Sequence, residues 1–288
     1  MGRCHKVSHV QPVYRSFGYG GLSAILDLST VLALLFLLAP VVIVIVISFS
    51  ADSYLQFPPS GFSVRWYANF FVGDPTWVHA ARKSFVVATS TAIIATVLGT
   101  LVAIPLARGG LRGHSMIEAL LLSPLIISPM ITAVALYGFF AGVGLIKSIF
   151  ALILGHSILA LPYAVMNVSV SAKALDPRLE QAAMGLGARP VYVFRRVTIP
   201  LLAPGIIAGA FFAFLASFDE VVIALFLSGL DPTLQKRMWD DIRLEINPTV
   251  AAASTVLVAV SLVAFSAAIL LQRFLARRIA VSAARDDS

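Results

Sequence analysis

The sequence predicts an all-α integral membrane protein with six transmembrane helices. Apolar residues make up 59% of the 288 and charged residues only 12%, about half the charged fraction of a soluble domain. Six apolar runs each come near the roughly 20 residues that a helix needs to cross a bilayer. The runs are 24–49, 85–106, 119–140, 148–170, 201–227 and 250–271.

The distribution of basic residues predicts the orientation of the helices. If the N-terminus is inside, fourteen of the 21 Lys and Arg residues share its side and seven lie outside, and such an excess marks the cytoplasm. Both termini are therefore predicted to be cytoplasmic: a leader (1–23), a membrane domain (24–272) and a tail (273–288). No small-residue cleavage site follows a short apolar core, so the first run is interpreted as an uncleaved span.

Several function classes are excluded. The positive-inside bias accounts for the net charge of +7, so we expect membrane lipid and no nucleic acid around the chain. The one cysteine, Cys4, lies in the leader, which leaves no CxxC motif. His114 and His156 have no partners at metal-ligand spacing. Since no nucleophile–base pattern is present, we expect no catalytic residue, metal or cofactor in this chain.

Glycine and proline are placed for close packing and for helix breaks. The pairs Gly138–Gly142 and Gly205–Gly209 have the four-residue spacing that lets membrane helices approach closely. Prolines inside or near the runs remove backbone donors, so those helices are expected to be kinked or locally opened. These prolines are Pro105, Pro124, Pro129 and Pro162.

A polar, basic segment at 173–200 separates the fourth and fifth runs. Asp176 and Pro177 are typical of a helix start, as N-cap and first helical residue, and Gly187 can end that helix. A second amphipathic piece follows before Pro200 turns the chain into the fifth run. The alanine-rich tip of this segment suits insertion into a groove of another protein.

The same segment resembles the EAA loop of permease subunits of binding-protein-dependent ABC importers. The family pattern is E-A-A, three residues, G, nine residues, I, one residue, L-P. It is matched in register at Gln181, Ala182, Ala183, Gly187, Val197, Ile199 and Pro200. Six spans fit the type I importer permease fold, and FSVRWYANFF and SFDEVVIALFLSG are most similar to the second permease of spermidine/putrescine-type importers.

The resemblance implies a transport subunit that is not itself an enzyme. No GxxxxGK[ST] motif occurs in the 288 residues, so ATP and Mg are expected on a separate ATPase dimer. A second, different permease and a solute-binding protein complete the expected complex, in a bacterial inner membrane. Because a glutamine replaces the glutamate of the pattern, docking should rest on small-residue shape and arginines. By this resemblance, the residues expected to dock on the ATPase are Glu180, Gln181, Ala182, Ala183, Gly187, Arg189, Ile199 and Pro200.

Asp219 and Glu220 are adjacent acids inside the fifth run. They lie roughly 27 Å along a helix counted from Leu201, where a charge is costly unless it faces a polar cavity or a partner. Either they line the translocation path of a cationic substrate, or one pairs with Lys83 or Lys147 and serves assembly. Because neighbouring helical residues point about 100° apart, we expect them to face different places.

The loop at 228–249 carries charges of both signs. It can contact a soluble partner, and it can equally be a solvated charged loop. Its charged residues are Asp231, Lys236, Arg237, Asp240, Asp241, Arg243 and Glu245.

Two alternatives remain at this point. An ion-gradient-driven secondary transporter or channel explains the two acids but leaves the 173–200 segment without a purpose, and inverted repeats are not evident. Within the importer interpretation, a polyamine such as putrescine or spermidine is favoured. The alternative substrates are 4-aminobutyrate, an opine or another small amine-bearing or anionic solute.

Overall fold

The computed structural model describes residues 20–109, 113–244 and 247–286, with side chains described for 25–109, 113–244 and 247–275. Cys4, most of the leader, Arg112 and Glu245 lie outside the described residues. The helices are α1 (Gly20–Ser48), α2 (Arg65–Ala68), α3 (Pro75–Ala107), α4 (His114–Ile126), α5 (Pro129–Gly142), α6 (Ile149–Ala174), α7 (Pro177–Gly185), α8 (Pro190–Val193), α9 (Ile199–Phe218), α10 (Val222–Leu227), α11 (Leu234–Leu244) and α12 (Thr249–Asp286).

The prediction of an all-α membrane protein agrees with this architecture. Five of the described helical segments are long and apolar enough to cross a membrane, and the number rises to six if the bent pair α4 and α5 forms one span. The five are α1, α3, α6, the run from Pro190 to Phe218, and α12. Several spans extend beyond the predicted runs, since α3 begins at Pro75 and α12 continues to Asp286.

The third apolar run, predicted as one span with helix breaks at its prolines, is divided into two helices. α4 and α5 meet at 104° across Ile127 and Ser128. Both linking residues lie outside the helical region, with ψ of 135° at Ile127 and 131° at Ser128. For Ser128 the cause is Pro129, because a residue that precedes proline is pushed out of the helical region. Pro129 then occupies the first turn of α5, where its missing N–H is tolerated. The predicted helix break is confirmed at Pro129, and it divides the run into two short helices.

The fifth run also differs from its prediction at both ends. Pro200 does not turn the chain, because α8, a π-helical turn at Phe194–Thr198 and α9 follow one another as a single helical run from Pro190. At the other end, α9 stops at Phe218 and α10 begins at Val222. The span predicted as continuous over 201–227 is therefore interrupted at the two acids.

α3, α6 and α9 form the centre of the bundle. Part of their contact surface is built from alanines, five of which form one buried cluster, and from glycines that bring the backbones together. Larger side chains such as Leu106, Val168 and Leu202 fill the rest. Gly205 and Gly209 lie against α6, as their spacing predicted, whereas Gly138 and Gly142 have no neighbouring atom within 4 Å of where a Cβ would stand. The clustered alanines are Ala92, Ala95, Ala160, Ala164 and Ala213.

The peripheral helices leave apolar surface exposed. α1 contacts α12, and α12 in turn contacts α9, but the membrane-length window of each is not buried within this chain. Side chains such as Phe36 and Val263 point outward. This is the surface that lipid tails or another membrane subunit contacts.

At Gly99, α3 packs so closely against α6 that a side chain has no room. A Cβ there would lie 2.8 Å from the Ala164 Cβ and 3.2 Å from the Val165 nitrogen, so α3 and α6 would have to separate. We expect Gly99→Ala to destabilise the bundle by about 1–3 kcal/mol through overpacking, measured as a lower melting temperature of the purified complex in detergent. Gly138→Ala is the matched control, and an equal loss in both variants would contradict this account of the core.

Candidate translocation and docking sites

The interruption between α9 and α10 is shaped by the two acids themselves. The Glu220 carboxylate accepts hydrogen bonds from the backbone nitrogens of Val222 (2.7 Å) and Ile223 (3.0 Å). A side chain that satisfies the first N–H groups of a helix acts as its cap, so Glu220 defines the start of α10. The Asp219 carboxylate makes no described hydrogen bond, and its side chain is exposed.

Both acids line one cavity, contrary to the expectation that they face different places. That expectation assumed a continuous helix, whereas the backbone leaves the helix at Asp219 and re-enters it after Val221. The cavity has a volume of about 560 Å³ and is open on one side. Its other walls are Pro124, Leu125, Ile127, Pro129, Leu159, Tyr163, Phe212, Leu215, Ala216, Phe218, Leu257 and Ser261.

The predicted alternative partners of the acids lie elsewhere. Lys83 is buried and its ammonium is 2.8 Å from the carboxylate of Asp231, which His79 also contacts. Lys147 lines a separate small pocket with Asp231. In the described part of the chain, neither Asp219 nor Glu220 takes part in an ion pair.

The cavity suits a cationic ligand. It combines two carboxylates with aromatic rings at Tyr163, Phe212 and Phe218, and its described lining contains no basic residue. A carboxylate attracts an ammonium group directly, and an aromatic face attracts it through its quadrupole. The remaining walls are apolar and fit a flexible hydrocarbon chain.

The 173–200 segment begins as its sequence predicts. The Asp176 carboxylate accepts from the Arg178 nitrogen at 2.9 Å, and Pro177 occupies the first turn of α7. The helix ends before Gly187, whose φ of +86° is unfavourable for residues with a Cβ. These features are local, which is why the sequence alone predicts them.

The residues carried over for docking do not share one surface. Gln181, Ala182, Gly187 and Arg189 are exposed, and Ala183 is half-buried. Ile199 and Pro200 are half-buried at the start of α9. The sequence assignment omitted two exposed apolar neighbours, Leu186 at 90% and Val191 at 70% exposure.

Glu180 points into the protein and joins three elements. Its carboxylate accepts from Arg108 Nη2 at 2.5 Å, just after the end of α3, and from the Thr198 hydroxyl in the π-helical turn before α9. Only 11% of its side chain is exposed. Glu180 therefore fixes α7 to the ends of two central helices, and its carboxylate is already engaged within this chain. The sequence signal available for this contact was the arginine at the end of the second run.

A helical bundle with a broken span, an acidic cavity beside the break and an amphipathic segment after α6 defines a polytopic membrane permease. Residues 27–281 match the family described as "Binding-protein-dependent transport system inner membrane component". The match covers most of the chain, so the protein belongs to this family of ABC importer permeases. Importers of this family work with an ATPase, a second permease and a binding protein, which sets aside the ion-gradient alternative.

Relatives that match most of the chain include polyamine permeases. The chain is 32% identical over 228 residues to the spermidine/putrescine transport system permease protein PotC of Haemophilus influenzae, covering 79% of this chain and 88% of that protein. It is 32% identical over 253 residues to the putrescine transport system permease protein PotI of Escherichia coli K12, covering 85% and 89%. A chain from a bacterial ABC transporter that imports the acidic polysaccharide alginate superposes with a TM-score of 0.67 at 12% identity, covering 91% of this chain and 99% of that chain, and shows the fold alone.

The contacts of Glu180 predict a structural effect that its neighbour lacks. Glu180→Ala leaves the buried Thr198 hydroxyl without its acceptor and Arg108 without its counterion. We expect the free energy of unfolding to fall by about 1–3 kcal/mol. The contribution of Arg108 to this loss is small, because Arg108 is partly exposed and solvent screens its charge. The measurements are the melting temperature of the purified complex and the rate of trypsin cleavage at the arginines of the 173–200 segment.

Gln181→Ala is the control for this experiment, because Gln181 is adjacent and exposed. It should melt and resist trypsin like the unmodified protein. If the two alanine variants behave alike, the assignment of Glu180 as an internal brace is wrong.

Proposed function

We propose that this chain is the permease subunit of an ATP-driven importer and forms half of the translocation path for a small polyamine such as putrescine or spermidine. The observation that carries the proposal is the placement of Asp219 and Glu220 on one cavity at the break of a membrane span. The similarity to PotC and PotI over most of the chain supports it independently.

The charge of the cavity favours polyamines over the alternative solutes. A polyamine carries ammonium groups and no carboxylate, so it gains attraction from Asp219 and from the aromatic walls. 4-Aminobutyrate and opines carry carboxylates, which the two acids repel, and the described lining offers no basic residue to compensate. Glu220 is partly engaged by the α10 nitrogens, which makes Asp219 the carboxylate available to the substrate.

The 173–200 segment is proposed to dock on the ATPase, which binds ATP and Mg. Exposed apolar side chains that occur together on a polar surface segment mark a contact site, and Leu186, Val191 and Tyr192 are all exposed within seven residues of the chain. In this proposal the chain spans the bacterial inner membrane, and the 173–200 segment and both termini face the cytoplasm. A second, different permease and a solute-binding protein complete the proposed importer.

Neutralising Asp219 tests the proposed path. In cells that express the complete importer, Asp219→Asn should lower the initial rate of radiolabelled putrescine uptake at least tenfold per assembled complex, because one charge-assisted hydrogen bond to the substrate contributes about this factor. Asp240→Asn is the matched control, since Asp240 forms a surface pair with Lys236 at 3.5 Å. Unchanged uptake by Asp219→Asn, or preferred uptake of 4-aminobutyrate, would overturn the substrate proposal.

A charge at Leu186 tests the proposed docking surface. Leu186 is 90% exposed, so Leu186→Asp should leave folding and membrane insertion unchanged while it introduces an unpaired charge into the ATPase contact. We expect copurification of the ATPase to fall at least tenfold, the scale of a hot-spot loss at an interface. Leu230→Asp, at a residue that is 98% exposed beyond α10, is the matched control. Normal ATPase recovery with Leu186→Asp would place the docking surface elsewhere.

A further inference from the structure

Two side chains from other helices hold the last turn of α9 at the break. His156 of α6 donates from Nδ1 to the Ser217 carbonyl at 3.1 Å and lies 2.9 Å from the Ser217 hydroxyl. Gln235 of α11 donates from Nε2 to the Phe218 carbonyl. These are the two carbonyls that immediately precede Asp219.

The Gln235 amide is itself held in place. Its oxygen accepts from the Ser84 hydroxyl at 3.0 Å, and that hydroxyl accepts from the Leu234 nitrogen at 2.8 Å. All of the side chains in this group are buried, with Ser84 at 4% and Gln235 at 8% exposure. Because the Ser84 hydroxyl holds the amide oxygen on one side, the amide nitrogen is turned toward the Phe218 carbonyl on the other.

The two bonds supply donors to carbonyls that the break leaves poorly satisfied. The Phe218 carbonyl has no described backbone donor, and the Ser217 carbonyl has only a long one, the Glu220 nitrogen at 3.4 Å. The last carbonyls of a helix lack the usual donors further along the chain, and water does not replace them here, because Ser217 and Phe218 are each only 4% exposed. Without these donors, the backbone would regain hydrogen bonds by continuing the helix through 219–221. Asp219 and Glu220 would then point about 100° apart and could not both face the cavity.

We propose that Gln235 and His156 are positioning residues that keep the span broken at Phe218 and thereby keep Asp219 in the translocation cavity. Neither residue lines that cavity, so each acts through the backbone and not on the substrate. The inference rests on the proposed function, because it gives Asp219 its role. It adds that α11, outside the predicted spans, contributes directly to the geometry of the path.

The test compares variants that keep the side-chain volume and change the donor. Gln235→Met and His156→Leu remove the N–H groups, and both should lower putrescine uptake per assembled complex about tenfold, the scale of a lost buried hydrogen bond. His156→Asn places an amide N–H near the Nδ1 position and should restore at least half of the rate. Gln272→Met is the matched control, because Gln272 also donates to an α9 carbonyl, that of Pro204 at 3.1 Å, but at an exposed site.

A double variant separates positioning from general loss of structure. If Gln235 acts through Asp219, adding Gln235→Met to Asp219→Asn should change uptake less than twofold, since the two changes remove one interaction. Independent, multiplied losses would overturn the proposal, as would normal uptake by Gln235→Met and His156→Leu. The proposed function fails separately, when Asp219→Asn alone leaves uptake unchanged.

Discussion

Backbone N–H and C=O groups inside an apolar bundle must find their partners within the protein, because hydrocarbon offers none. Continuous helices meet this requirement by themselves. Wherever a span is interrupted, side chains must replace the missing backbone hydrogen-bond partners. The break after Phe218 has three such replacements. Glu220 accepts hydrogen bonds from the first nitrogens of α10, and His156 and Gln235 donate to the last carbonyls of α9. The acidic cavity exists because these replacements are present.

The two ends of the bundle are fixed by ion pairs of different depth. At one end, Glu180 is enclosed and binds two elements at once. At the other, Lys83 and Asp231 join α3 to the loop before α11, and Arg237 pairs with Asp74 at the start of α3. The end with α7 is thus fixed to the ends of two central helices, while the end with α11 is connected to the interior through Gln235.

Features that depend on neighbours in sequence were predicted well. The apolar runs, the cap at Asp176 and the break at Pro129 follow from composition and local stereochemistry. The interruption at Asp219 was missed, because the donors that stabilise it lie 61 residues before and 17 residues after their acceptors. Glu180 was assigned to a docking surface for the same reason, since its arginine lies 72 residues earlier in the chain. Hydropathy and motif spacing carry no information about such pairs.

The alanine and glycine surfaces of α3, α6 and α9 have a mechanical consequence. Helices that meet through large side chains interlock, and one can move past the other only if those side chains change rotamer. In the alanine cluster the backbones lie close together with few large side chains between them, whereas larger side chains such as Leu106, Val168 and Leu202 pack elsewhere in the contact. The alanine cluster therefore combines tight van der Waals contact with few side chains that would have to change rotamer when one helix shifts against another.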